Sequence, residues 1–152
     1  MATVQEIQGK LTALVNNLSP QSRRQLARNI GQALRKSQSA RIARQQNPDG
    51  SAFEPRKPRK NFIQKQGRIK RKAMFAKLRT AKHLKVRSNG NEVSVGFNGS
   101  SAAIAAVHQY GLKSSPSKNK DFKVQYAQRE LLGFSENDLE IIEDLIIEQL
   151  SR

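Results

Sequence analysis

The sequence predicts an α+β domain, and three observations carry that expectation. Apolar residues recur three and four apart near both ends of the chain, an Asn-Gly pair separates two short alternating runs in the middle, and a proline-spaced basic stretch fits neither pattern. The first gives N-terminal helices and a C-terminal helix packed on a small twisted antiparallel sheet. The second gives that sheet a central hairpin, and the third is an extended basic arm. At 152 residues the chain is read as a single domain, with a helical part over 1–46, an arm or loop over 47–68 and an α+β core over 69–152.

Val4, Ile7, Leu11, Leu14 and Leu18 share one face of a first helix. It stops at Ser19-Pro20, where Ser19 caps a second helix and Pro20 suits its first position. That second helix lines up Leu26, Ile30, Leu34 and Ile42 and distributes Arg23, Arg24, Arg28, Arg35, Lys36, Arg41 and Arg44 around the rest. For any single arginine a solvated face is the simpler reading. The absence of an acid to relieve the repulsion nonetheless suggests that something anionic faces the set.

Asn47-Pro48-Asp49-Gly50 is a stop. Pro48 pushes Asn47 out of the α region, Asp49 can bond its own backbone, and Gly50 accepts positive φ. Arg56, Lys57, Arg59 and Lys60 follow, spaced by Pro55 and Pro58, a composition that does not pack into a core. Beyond the arm, Ile69, Met74, Phe75 and Leu78 suggest a short helix from about 69 to 79. Asn89-Gly90 then supplies the turn of a type I′ hairpin, which would set Arg87 opposite Glu92, Val86 opposite Val93 and Leu84 opposite Val95.

The segment 100–110 reads as an alanine-rich helix capped by Ser100 or Ser101 and stopped at Gly111, followed by a polar loop and a short strand at 123–126. The chain closes in a helix capped by Ser135, with acids in its first turn where the dipole favours them. Leu139, Ile142, Leu145, Ile146 and Leu150 form its expected buried stripe, and Ile141 and Ile147 widen it enough for a second partner surface.

The net charge is +16, and it is unevenly placed. Residues 19–87 hold 21 Lys and Arg against Asp49 and Glu54, a net +19, whereas 134–152 hold six acids and one base, a net −5. Such a field attracts DNA, RNA or an acidic protein surface. There is no cysteine, hence no disulfide framework and no thiolate nucleophile. No apolar run reaches the length that spans a bilayer and the N-terminal segment lacks a signal-like apolar core, so a soluble protein made in a cytoplasm is expected, without membrane contact.

No catalytic, cofactor or metal constellation emerges. His83 and His108 lack metal spacing, and His108 is expected as a packed or hydrogen-bonded histidine rather than a base. Two non-catalytic readings remain. Sequence-independent nucleic-acid binding would use the basic 19–87 region with Phe53, Phe62 and Phe75 for stacking, against which no known nucleic-acid-binding signature is present. The other is a structural assembly subunit whose arm grips a neighbour.

The blocks 18–57, 72–86, "IAAVHQYG" at 104–111 and "YAQRELLGFSENDLEII" at 126–142 run in order along nearly the whole chain, and together they resemble the phage virion morphogenesis family of tail completion proteins. The resemblance implies a structural virion protein and not an enzyme. It would complete the tail at its head-proximal end and help join it to the DNA-filled head, assembling in the host cytoplasm before entering the virion. Its expected partners are copies of itself in a ring of six, tail tube or sheath proteins, head-tail connector proteins and genomic DNA. On that reading the arm residues Phe53, Arg56, Lys57, Arg59 and Lys60 bind a partner, with Phe53 as apolar anchor. Glu140, Glu143, Glu148, Ile141 and Ile147 are the subunit-interface candidates.

Overall fold

A computed structural model describes residues 3–56, 73–116 and 121–152. Among these residues are four helices and two two-stranded antiparallel sheets, so the fold class is the expected α+β. In chain order they are α1 (Val4–Asn16), α2 (Pro20–Ala43), β1 (Leu84–Ser88), β2 (Val93–Phe97), α3 (Ser100–Tyr110), β3 (Lys113–Ser114), β4 (Val124–Gln125) and α4 (Glu136–Leu150). None of the helices is long and apolar enough to cross a membrane. The residues group into two compact units, one of 1–36, 86–95 and 136–152 and the other of 37–85 and 96–135.

In the first unit, α1 opens with a capping box. Thr3 Oγ1 accepts from the Glu6 N–H at 3.1 Å, and Glu6 Oε2 accepts from the Thr3 N–H at 2.8 Å, so two orphan donors are satisfied together. Ser19 caps α2 as expected, accepting from the Ser22 N–H at 3.1 Å. Leu26, Ala27 and Leu34 are buried along α2. Gly31 allows the hairpin to lie close, since a β-carbon there would overlap Val86 Cγ1 and come within 2.9 Å of Val93 Cγ2.

The hairpin exists, but its turn is not type I′. Asn89 donates its N–H to the Glu92 carbonyl, and the Asn98 N–H bonds the His83 carbonyl, which places Val86 opposite Val95 and Leu84 opposite Phe97. The pairing is two residues away from the expected one, so no side chain changes face. Gly90 does not take positive φ. Asn89 closes the turn instead, its Oδ1 accepting from the N–H groups of Asn91 at 2.7 Å and Glu92 at 2.9 Å.

The last helix also departs from the expected stripe. Its inward line is Asp138, Ile142, Leu145 and Gln149, with Asp138 fully buried and Gln149 donating to Ser22 Oγ at 2.8 Å. Leu139, expected inside, is 51% exposed because it sits one position, or about 100°, away from Asp138 on the helix.

The second unit holds an apolar cluster of Ile42, Phe53, Met74, Ala105 and Leu131, with Phe75, Leu78 and Phe97 packed against it. The described part of the expected 69–79 helix, from residue 73, is a succession of turns, and residues 69–72 lie outside the described residues. Phe75 explains the interruption: its φ of 66° is left-handed, a conformation that cannot continue an α-helix and that turns its ring into the core. Helix α3 starts after Gly99, which has φ 57° and gives no side-chain cap, so neither Ser100 nor Ser101 caps it. It stops at Gly111 as expected, with φ 62° and an N–H bonded to the Val107 carbonyl. The strand expected at 123–126 is β4, which pairs with β3 through Lys113 opposite Gln125 and Ser114 opposite Val124.

Candidate functional site

The root of the arm is held by many hydrogen bonds within the second unit. The turn forms as its residues dictate: the Gly50 N–H reaches the Asn47 carbonyl, Gly50 has φ 90°, and Asp49 Oδ1 accepts from the Ser51 N–H at 2.9 Å and from its hydroxyl. Those bonds from Ser51 hold the Asp49 carboxyl below the usual range. An isolated bridge between Gln46 and Ala52 closes the loop.

The turn is docked onto residues 129–133. Asn47 Oδ1 accepts from the Glu130 N–H at 2.9 Å, and Pro48 packs against Gly133, where a β-carbon would collide with its ring. Arg41, only 3% exposed, donates to the carbonyls of Gln46 and Glu130 at 2.9 Å and of Leu131 at 2.8 Å, and to Gln38 Oε1. Arg129, 5% exposed, repeats the device one step further on, donating to the carbonyls of Glu54 at 2.7 Å and Pro55 at 3.1 Å. A planar guanidinium with five donors is well suited to gather carbonyls that no strand partner satisfies.

Behind the arm root the rings of Phe53, Phe75, His108 and Tyr126 follow one another edge to face at 5.7, 4.8 and 5.1 Å. His108 is the packed histidine the sequence suggests. Its Nδ1 lies 3.4 Å from Arg129 Nη1, and since arginine only donates, Nδ1 accepts and the ring is neutral. Burial first and the Arg129 charge second push its pKa down to about 4. Among the described residues no three His, Asp or Glu side chains gather as a metal site.

Phe53 is therefore not an exposed anchor. It is 4% exposed and built into its own chain's core, which corrects the arm reading at that residue. Arg56 is exposed, with Nη2 3.4 Å from the Ala73 carbonyl; Lys57, Arg59 and Lys60 lie outside the described residues. On α4, Glu140, Glu143 and Glu148 are exposed, and Glu148 pairs with Arg152 at 3.1 Å. Ile141 is half-buried and Ile147 is 56% exposed.

Two buried arginines escaped the sequence reading. Arg41 had a signal, since it stands seven residues past Leu34 and three past Gln38 on the inward line of α2. Arg129 had none, because its loop has no period.

Taken together, these groups define a small α+β protein whose buried cations brace backbone, with five exposed acids on the last helix. The chain belongs to the phage virion morphogenesis family, whose family model matches residues 2–151. It is 39% identical over 153 aligned residues to tail completion protein S of Escherichia phage P2, with the whole of both chains covered. No solved structure matches it.

Proposed function

We propose that the chain is a structural component of a phage tail, which it completes at the head-proximal end and helps join to the DNA-filled head. The observation that carries this is the end-to-end similarity to a protein named for tail completion, without insertion of another domain. Its role is contact rather than catalysis: the buried arginines are engaged with carbonyls, and His108 is neutral and packed among rings. Copies of the chain assemble with one another, in a ring of about six, and meet tail tube or sheath subunits on one side and connector proteins on the other. A closed ring sets one surface of each subunit against a different surface of the next, which suits a chain with unlike charges in different segments.

Gold-labelled antibody against the chain, applied to purified particles and viewed by electron microscopy, tests the placement. Label at the head-proximal end of the tail is the expected result; particles that never carry it refute the reading. Tight, salt-sensitive DNA binding by an isolated monomer would favour instead the nucleic-acid role of the basic 19–87 region.

A further inference from the structure

The second unit carries an open groove of about 400 Å³ whose lining includes the apolar Phe75, Leu78 and Ile104 and the cations Arg56 and Lys77. Ile104 is 55% exposed, and no carboxylate is among the described residues that line the groove. Its size admits a few side chains and not a whole helix, whose diameter is about 10 Å. The chemistry that fits is therefore a helix laid across the opening, with apolar side chains pointing in and acids at the flanks.

The chain displays such a helix. With Asp138, Ile142, Leu145 and Gln149 turned inward on α4, the opposite line is Glu136, Glu140, Glu143 and Ile147, at the i, i+4, i+7 and i+11 positions of one face. Leu139 lies beside it, four residues before Glu143, so Leu139 and Ile147 are exposed apolar residues set among exposed carboxylates. The composition of this face complements that of the groove, acids against its cations and aliphatic side chains against Phe75, Leu78 and Ile104.

We infer that the outward face of α4 in one copy docks into the Phe75, Leu78 and Ile104 groove of a second copy, with Glu140 and Glu143 facing Arg56 and Lys77. The contact is heterologous, groove on one side and helix on the other, so it propagates from copy to copy. Exposed ion pairs add little individually, and the apolar insertion of Ile147 and Leu139 carries the contact while the charges select its orientation. This inference rests on the self-assembling reading above and names its surfaces.

The absence of cysteine from the sequence makes cross-linking clean. Ile104→Cys and Ile147→Cys proteins, prepared separately, are mixed, assembled and treated with a short bismaleimide. The mixture should give covalent dimer at least tenfold above either variant alone. Assembly to the parent's particle mass with no such excess overturns the docking and leaves self-assembly standing, whereas a parent that stays monomeric overturns both. If either cysteine blocks assembly, charge exchange supplies the readout. Glu140→Lys with Glu143→Lys, which sets cations against Arg56 and Lys77, should weaken assembly at least tenfold, and adding Arg56→Glu with Lys77→Glu to the same chain should restore it; failure to restore contradicts the pairing.

Discussion

At the scale of single residues, two side chains carry roles that differ from their usual ones. In the β1–β2 turn the work falls to Asn89, whose Oδ1 holds two N–H groups, and not to the glycine beside it. Asn89→Ala should destabilise the fold by about 1 kcal/mol, the worth of a lost turn hydrogen bond. Gly90→Ala should be nearly silent, because φ there is not positive and the new β-carbon meets only Arg24 Cγ at 3.7 Å. Thermal melts of the two variants decide between them: a larger loss from Gly90→Ala would restore the type I′ turn. His108 gives a pH signature. Its pKa is depressed from 6.5 to about 4 in the folded chain, so between those values the unfolded chain binds the extra proton. Stability attributable to this ring is complete above about pH 6.5 and is lost as pH falls toward about 4, where the folded form begins to protonate too. In denaturant titrations across that window, His108→Gln should show a shallower fall than the parent. Equal slopes would mean that the ring is not the titrating group.

At the scale of elements, the arm root and the last helix show what each kind of sequence signal can reach. Local chemistry was legible: Ser19 as a cap, the Asn47–Gly50 turn, Gly111 as a stop and the hairpin's apolar face all follow from neighbours in sequence. Long-range choices were not. Phe53 lies in a proline-spaced basic stretch, and nothing local says that its ring is received by Phe75, a residue whose left-handed φ breaks the expected helix. Arg129 draws the Glu54 and Pro55 carbonyls from 75 and 74 residues away, a separation that no period reveals. On α4, hydrophobicity alone placed Leu139 in the buried stripe, and tertiary packing buries Asp138 beside it instead. The consequence for Phe53 is specific. Phe53→Ala should cost about 3–5 kcal/mol by opening a cavity in the core, and should do so in the isolated chain. A variant that melts like the parent and fails only in assembly would return Phe53 to the role of an exposed anchor.

At the scale of the whole molecule, the division of charge is the property with the widest reach. The middle of the chain is strongly basic while the last helix is acidic, and on α4 Glu136, Glu140 and Glu143 occupy its outward line. Exposed charges are screened over about 8 Å at physiological salt, so any assembly they guide should weaken as salt rises. The central claim is that the chain completes a tail and joins it to a head, and disrupting its gene in the phage that carries it tests that claim most directly. Electron microscopy of the resulting lysate should show DNA-filled heads and separate tails, with infectivity restored when the chain is supplied from a plasmid. Joined, infectious particles at the ordinary titre without the chain would contradict the account.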